Sequence, residues 1–215
     1  MDSFLNTVAR TVRAAMKWPA LLLHKITRGR IKPNHVTLIS VLGHVGVLWA
    51  LWSYRPILAG LLLIIFGLMD SLDGALARLQ GTTSLNGMFF DATSDRLKEV
   101  MIYAGIALFF MAGTSGYELG EIVWLPVAVL GGSLLVSYIK AKGEMAIAGN
   151  GKHSSQELNR VFADGFARYE VRMAFIVLGL FSSLLVEALW VLLVLVAFTA
   201  LQRTIRIART LRKLG

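Results

Sequence analysis

The chain has 215 residues, of which 56% are hydrophobic and 16% charged, and its formal net charge at pH 7 is +9. A single domain is the default expectation at this length, and so apolar a composition, arranged in long runs, excludes an ordinary soluble domain. Cysteine is absent, which excludes disulfides, and Lys and Arg flank the apolar runs, which favours a membrane surface over nucleic acid as the partner of the positive charge.

Residues 1–30 predict an amphipathic helix that lies in the membrane interface. Apolar residues recur there at near-helical spacing, opposite a basic face. The apolar residues are Phe4, Val8, Val12 and Ala15, and the basic ones are Arg10, Arg13, Lys17, Lys25, Arg28 and Arg30. A nucleic-acid-binding arm is the weaker interpretation, because the apolar face needs a partner.

Six apolar segments follow and predict an all-α integral membrane protein. We expect a single domain, residues 1–215, in which the interfacial helix precedes a six-helix transmembrane bundle of residues 31–215. The approximate spans are 35–53, 57–78, 87–112, 122–142, 172–186 and 188–203. Glu187 is the only interruption expected between the last two spans, and the three-residue spacing of Arg203, Arg206, Arg209 and Arg212 predicts that the last helix continues along the headgroups. Residues 149–156 have the composition of a loop.

The distribution of basic residues predicts the orientation of these spans. With six spans, all but one of the 22 Lys and Arg residues fall on the side that holds both termini, and Arg55 lies opposite. The positive-inside rule assigns the basic side to the cytoplasm. We therefore expect a multi-pass protein of the cell membrane whose termini and active site are cytoplasmic.

Acidic residues concentrate between Asp70 and Asp95, where the second span ends and the third begins. Asp70 and Asp73 are spaced i, i+3, and Asp91 and Asp95 are spaced i, i+4, so each pair shares a helix face. Two such helices form an oxygen-rich cage that suits hard divalent ions such as Mg²⁺. The alternative is buried structural charge paired with basic neighbours, but ionisable groups at membrane depth are costly and indicate function by default.

The same stretch has the pattern D-x2-D-G-x2-A-R-x8-G-x3-D-x3-D without a departure. It resembles the signature of the CDP-alcohol phosphotransferase family, integral membrane enzymes of phospholipid head-group synthesis. The resemblance implies two divalent ions, Mg²⁺ or Mn²⁺, held by Asp70, Asp73, Asp91 and Asp95. It implies that Asp95 is also the catalytic proton acceptor. We further expect membrane lipids as partners and a homodimer as the assembly.

The resemblance also implies a site for a CDP-linked lipid donor. Its residues would be Asn34, Thr37, Asp70, Gly74, Arg78, Ser84 and Gly87. Other interpretations of these residues stay open at this point. The segment around Asn34 also has the features of an ordinary helix start, the two glycines suit close helix packing, and Arg78 suits a side chain that reaches for the interface.

The acceptor is predicted from a second resemblance. Residues 137–144, Ser-Tyr-Ile-Lys-Ala-Lys-Gly-Glu, are similar to a segment of the family's phosphatidylinositol phosphate synthases whose basic residues bind the phosphate of inositol phosphate. The implied acceptor residues are Lys140, Lys142, Arg168 and Arg172. A second basic patch in those enzymes has the form Arg-x-x-Arg before the fifth span, and here Arg172 fits it whereas Tyr169 stands where the first arginine is expected. In the segment 137–144, Lys142 replaces arginine and Gly143 replaces alanine. Lysine and arginine are not equivalent for bidentate phosphate binding, so plain positive-inside flanks are the alternative.

The leading prediction is a membrane transferase that moves a phosphatidyl-type group from a CDP-diacylglycerol-like donor to a polar alcohol and releases CMP. Inositol phosphate is the preferred acceptor, followed by glycerol phosphate, and a soluble CDP-alcohol donor is a further alternative. A cation-coupled transporter is remote, because its carboxylates would spread along a pathway, often within inverted repeats. Here the aspartates cluster near one side and no repeat is visible. No nucleic-acid partner is expected.

Overall fold

The computed structural model describes residues 11, 14–111, 121–148 and 168–214. All regular elements in these ranges are α-helices. In chain order they are α1 (Lys17–Thr27), α2 (Pro33–Trp52), α3 (Pro56–Gln80), α4 (Leu85–Met111), α5 (Trp124–Ala148), α6 (Tyr169–Ser182) and α7 (Leu185–Leu214). The prediction of an all-α protein is confirmed.

Proline and glycine set the helix bounds around the acidic stretch. Pro33 and Pro56 open α2 and α3, where a missing amide donor costs nothing and the fixed φ suits the first helical turn. Gly81 closes α3 with a left-handed φ of 65°, a conformation that glycine adopts without the steric penalty of a Cβ. The acidic stretch therefore spans the end of α3, a short turn and the beginning of α4.

Four helices within the described residues are long and apolar enough to cross a membrane: Pro33–Trp52, Pro56–Gln80, Trp124–Ala146 and Leu185–Arg212. Helix α4 has 27 residues, but its charged residues cluster between positions 91 and 99. Helix α6 has 14 residues, or about 21 Å at 1.5 Å per residue, against a hydrocarbon core of about 30 Å. The chain is a multi-pass membrane protein, and the count of six spans stays a prediction.

The break between the last two apolar segments lies at Ser183, so the predicted break at Glu187 is wrong. Helix α6 ends at Ser182, and Ser183 has a left-handed φ of 61°. Glu187 lies in the first turn of α7, where a negative charge is stabilised by the positive end of the helix dipole. The acidic residue thus begins a helix rather than separating two. The predicted continuation of the last helix into the basic tail is confirmed, since α7 runs to Leu214.

The chain forms two compact units, residues 1–109 and 110–215. The assignment of residues 1–215 to one domain stays a prediction. In the first unit α2 packs along α3, and they approach closely at Gly43, where an added Cβ would overlap the Phe66 ring. Helix α4 reaches α2 at Gly105, where a Cβ would lie 2.8 Å from Leu51 Cδ1. Small residues thus bring together the three helices that carry the acidic stretch and its neighbours.

Helix α1 packs on α3 and leaves an apolar stripe exposed. Ala20 is buried, whereas Trp18, Leu22 and Ile26, which follow each other at intervals of four residues, are exposed. In a membrane protein such a stripe faces lipid, which agrees with the expected interfacial helix. Phe4, Val8 and Val12 of the predicted apolar face lie outside the described residues.

In the second unit α7 packs against α5 and α6. Two glycines let α5 approach α7 closely: a Cβ would lie 2.6 Å from Val196 Cγ2 at Gly132 and 2.5 Å from Ile207 Cδ1 at Gly143. Gly143 was noted as a departure from the family segment. In this structure it is the position at which the basic ends of α5 and α7 meet. The predicted loop at residues 149–156 lies outside the described residues.

Candidate active site

The first unit contains a cavity of about 570 Å³. Its walls are the beginning of α2, the last turns of α3, the turn at 82–84 and the first turns of α4. Six of the seven residues expected to contact the donor line it: Asn34, Thr37, Gly74, Arg78, Ser84 and Gly87. Asp73 and Asp91 line it too, whereas Asp70 is not part of the lining. The fold therefore gathers residues separated by up to 57 positions onto one concave surface.

Thr37 and Asp73 form a buried polar contact in the wall of this cavity. Both residues are buried, and the Thr37 hydroxyl donates to Asp73 Oδ2 at 2.6 Å. A hydrogen bond to a carboxylate is shorter and about twice as strong as one between neutral groups. Thr37 therefore fixes the orientation of an expected metal ligand as well as lining the cavity.

Gly74 and Gly87 open the cavity wall. A Cβ on Gly74 would meet only the Arg78 guanidinium, at 3.4 Å, and one on Gly87 would meet only the Ser84 hydroxyl, at 3.2 Å. Among the described residues no neighbouring helix comes within 4 Å of either Cβ position. Close helix packing therefore does not explain these two glycines, whereas it does explain Gly43 and Gly105.

Arg78 and Ser84 present polar groups at the mouth of the cavity. The Arg78 side chain is exposed and lies beside Gly74. The Ser84 hydroxyl accepts a hydrogen bond from the Gly87 amide at 3.0 Å, which caps the first turn of α4. A guanidinium beside an open backbone is an arrangement that binds phosphate groups.

A buried lysine joins two of the four aspartates. Lys98 Nζ lies 2.6 Å from Asp70 Oδ1 and 2.7 Å from Asp95 Oδ1, and its side chain is fully buried. The Ser40 hydroxyl of α2 lies 3.0 Å from the same Asp70 oxygen. The sequence pattern missed Lys98 and Ser40. The available signal for Lys98 was its position three residues after Asp95 within a largely apolar helix, where a charge requires a partner.

The donor set suits a hard divalent ion, although it is not preassembled. Within the described ranges no three acidic or histidine side chains are placed to hold a metal. The reason is that Lys98 engages Asp70 and Asp95, while Thr37 engages Asp73. The carboxylate oxygens have the right chemistry for Mg²⁺ or Mn²⁺, and Asp70 Oδ2 is a buried acceptor with no hydrogen-bond partner. The residues present therefore fit such an ion.

The second unit contains a buried group of arginines. Arg172 is 2% exposed and Arg203 is 9% exposed, and Arg203 Nη1 donates to the Val136 carbonyl at 3.1 Å. Arg203 also lies within electrostatic range of Arg168, Arg172 and Arg206, with Glu144 as the nearby acid. A buried cation needs charge-assisted hydrogen bonds or an acidic neighbour to offset its lost hydration. The sequence pattern missed Arg203, because it read this residue only as the first basic residue of the tail.

The two expected lysines differ from these arginines. Lys140 forms a long ion pair of 3.6 Å with Glu144. Lys142 is exposed, and its Nζ lies 5.8 Å from the centroid of the Tyr138 ring. The structure thus associates Arg168 and Arg172 with Arg203 and leaves Lys142 at the surface of the second unit.

Comparisons with known proteins agree with these observations. A family model described as CDP-alcohol phosphatidyltransferase matches residues 30–201. A phosphatidylinositol phosphate synthase from Streptomyces avermitilis is 31% identical over 215 aligned residues, which cover 96% of this chain and 84% of that protein. An archaetidylinositol phosphate synthase from Pyrococcus horikoshii is 36% identical over 119 residues, covering 55% of this chain and 58% of that protein. The chain thus matches little more than half the length of this archaeal relative.

Solved structures show the same fold. The phosphatidylinositol phosphate synthase of Mycobacterium tuberculosis with CDP-DAG bound superposes with a TM-score of 0.72 at 24% identity, covering 87% of this chain and 92% of that one. The same enzyme in complex with manganese and citrate gives a TM-score of 0.70 at 23% identity, covering 89% and 88%. At these identities the likeness establishes the architecture of an integral membrane fold.

Proposed function

Because the chain belongs to the CDP-alcohol phosphatidyltransferase family, we propose that it transfers a phosphatidyl group from CDP-diacylglycerol to a hydroxyl of inositol phosphate and releases CMP. The observation that carries this proposal is the cavity of the first unit, which brings six of the seven expected donor residues together with Asp73 and Asp91. The names of the Streptomyces and Pyrococcus relatives support an inositol phosphate acceptor.

The cavity has the properties of a nucleotide site. Its volume of about 570 Å³ lies within the range of about 300–1,000 Å³ that small-molecule sites occupy. Gly74 and Gly87 let a ligand approach the backbone closely. Arg78 offers a planar guanidinium to the pyrophosphate, and Asn34 and Thr37 offer polar groups to the cytidine.

Asp70, Asp73, Asp91 and Asp95 would hold the divalent metal, which we propose to be two Mg²⁺ or Mn²⁺ ions. When bound, such ions neutralise the pyrophosphate and polarise the phosphorus that is attacked. Manganese in the Mycobacterium tuberculosis structure supports this proposal. Thr37 orients Asp73 for this task, and Asp91 faces the cavity.

Asp95 would accept the proton of the attacking hydroxyl. Lys98 holds its Oδ1, so Oδ2 is the oxygen that takes the proton. The proton leaves as the new phosphodiester bond forms and the bond to CMP breaks. Such a positioned base contributes about 10²–10⁴-fold to a rate.

The arginines of the second unit would bind the acceptor's phosphate. Arg172 and Arg203 are buried, and Arg168 lies within electrostatic range of Arg203. A dianionic phosphate compensates their charge and accepts several charge-assisted hydrogen bonds. Lys140 and Lys142 would contribute to attraction at longer range, because Lys142 is exposed.

We place the protein in the cell membrane with both termini and the active site facing the cytoplasm, and we propose a homodimer. The basic residues at the helix ends support this orientation. It also gives the site access to soluble inositol phosphate.

An acceptor panel tests the proposal. Purified protein in detergent receives CDP-diacylglycerol, Mn²⁺ and one of four additions: inositol phosphate, inositol, glycerol phosphate or buffer. We expect CMP release to be fastest with inositol phosphate and negligible with buffer. If CMP release is faster with glycerol phosphate, then glycerol phosphate is the acceptor instead. CMP release that does not depend on any acceptor would contradict a transferase.

A further inference from the structure

The buried ammonium of Lys98 lies where two helices present carboxylates to each other. Asp70 belongs to α3 and Asp95 to α4, and both direct Oδ1 to Lys98 Nζ, at 2.6 and 2.7 Å. Lys98 is fully buried, whereas the side chains of Asp70 and Asp95 are 17% and 27% exposed. The lysine therefore approaches the carboxylates from the interior of the unit, and Asp70 Oδ2 is a buried acceptor with no hydrogen-bond partner.

A fully buried ammonium is stable only when paired charges compensate its lost hydration. The carboxylates of Asp70 and Asp95 together compensate the ammonium. The ammonium in turn stabilises the two carboxylates, because they would repel each other if it were absent. The Ser40 hydroxyl adds a contact to Asp70 Oδ1. The group is thus fixed from three helices, α2, α3 and α4.

We propose that Lys98 is a positioning residue whose ammonium occupies the place between Asp70 and Asp95 that a second divalent ion would take. This inference rests on the proposed function, since it assumes that the four aspartates bind metal. One ion binds tightly at the cavity-facing carboxylates, Asp73 and Asp91. A second binds weakly, because it must share Asp70 and Asp95 with a cation that the chain itself supplies.

The proposal accounts for two observations together. The four carboxylates are close enough to influence each other, since Asp73 lies within electrostatic range of Asp70 and Asp91. Even so, no three acidic side chains in the described part of the chain are arranged around a common point. An ammonium between Asp70 and Asp95 turns both toward the interior of the unit and so keeps them from converging with the other pair.

Manganese binding tests the proposal without reference to catalysis. Metal-free full-length protein in detergent is titrated with Mn²⁺, and free Mn²⁺ is measured by electron paramagnetic resonance. For the unmodified chain we expect one tight site and a second site at least about 10-fold weaker. In Lys98→Gln the second site tightens by at least about 10-fold, because one nearby positive charge is lost. Lys98→Arg, which keeps the charge, retains the weak second site.

Lys25→Gln is the matched control. Lys25 is an exposed residue of α1, so its loss changes the net charge equally without touching the carboxylates. Its isotherm should match that of the unmodified chain. Thermal unfolding adds a second measurement: metal-free Lys98→Gln should melt lower than the unmodified protein, and Mn²⁺ should raise its midpoint by more.

The outcomes separate this inference from the proposed function. Identical isotherms for the unmodified chain and Lys98→Gln would overturn the role of Lys98 and leave the metal site standing. Two equally tight Mn²⁺ sites in the unmodified chain would also overturn the role of Lys98, and this result does not require Lys98→Gln to fold. No Mn²⁺ binding in the unmodified chain would overturn the proposed metal site, and this inference with it.

Discussion

The hydroxyl of Thr37 lies 2.6 Å from Oδ2 of Asp73 and ties α2 to α3 at the wall of the cavity. Both residues are buried, and both line that cavity. The contact links a residue from the helix start before the signature to a carboxylate inside it. It therefore couples the shape of the donor cavity to the orientation of an expected metal ligand.

Thr37→Val should weaken Mn²⁺ binding and raise the donor KM together. The substitution keeps the shape of the side chain but leaves Asp73 Oδ2 without its donor, and a hydrogen bond to a charged group is worth about 1.5–3 kcal/mol. Isothermal titration with Mn²⁺ and donor-dependent initial rates measure the two effects. Thr204→Val is the control, because the Thr204 hydroxyl bonds to the Ala200 carbonyl one turn earlier in α7. A donor KM that rises with unchanged Mn²⁺ binding would contradict the coupling.

Gly74→Ala should raise the donor KM by about 10-fold, equivalent to about 1.4 kcal/mol of lost binding, with little change in thermal stability. The added methyl group would enter the cavity beside Arg78 rather than meet another helix. Gly67→Ala is a matched control on the same helix, since its Cβ would meet nothing within 4 Å. If both substitutions leave the donor KM unchanged, Gly74 does not lie against the donor.

Asp95→Asn should lower turnover by at least about 10²-fold, because it removes the proton acceptor while preserving size. Donor binding, measured by equilibrium titration with a CDP-lipid, should survive better than in Asp70→Asn, where a ligand is lost outright. Both residues contact Lys98 through Oδ1, so each variant removes one of the two negative charges beside the buried ammonium. The difference between the variants therefore reports on the role of the other carboxylate oxygen, Oδ2. Equal loss of donor affinity in both would indicate that Asp95 is only another ligand.

Arg172→Gln should raise the KM for inositol phosphate by about 10- to 150-fold, since a charge-assisted phosphate contact is worth about 1.5–3 kcal/mol. The KM for unphosphorylated inositol should change far less, which narrows the preference between the two acceptors. Lys142→Gln should have the smaller effect, because Lys142 is exposed whereas Arg172 is buried. Arg172→Lys is the conservative control for a folding defect. Because it keeps the positive charge, its KM for inositol phosphate should lie between those of the unmodified chain and Arg172→Gln. If the folded variants keep the same preference for inositol phosphate over inositol, these residues do not form a phosphate pocket.

Patterns that act along one helix were predictable from the sequence. The apolar runs located the second span at 57–78, and α3 extends from Pro56 to Gln80. The spacing of the signature predicted which of its residues share a face of one helix. These features depend on helical periodicity and on Pro and Gly at the helix ends, which are local properties.

Contacts between helices were not predictable in the same way. Lys98 has the sequence context of a residue that flanks a span, and only the packing of α3 against α4 shows that it binds Asp70 as well as Asp95. Arg203 is likewise the first of the evenly spaced arginines of the tail. At this position, however, α7 still packs on α5, and the guanidinium donates to the Val136 carbonyl. The break at Ser183 depends on a left-handed backbone that serine rarely adopts, so composition favoured Glu187 instead.

The most direct test of the central claim is the identity of the lipid product. The purified chain is incubated with CDP-diacylglycerol, inositol phosphate and Mn²⁺, and lipid and CMP are quantified by mass spectrometry, with a parallel reaction in excess EDTA. The account predicts one molecule of phosphatidylinositol phosphate for each CMP released, and neither product when the metal is chelated. CMP released without a matching phosphoinositide, or undiminished product in EDTA, would contradict it.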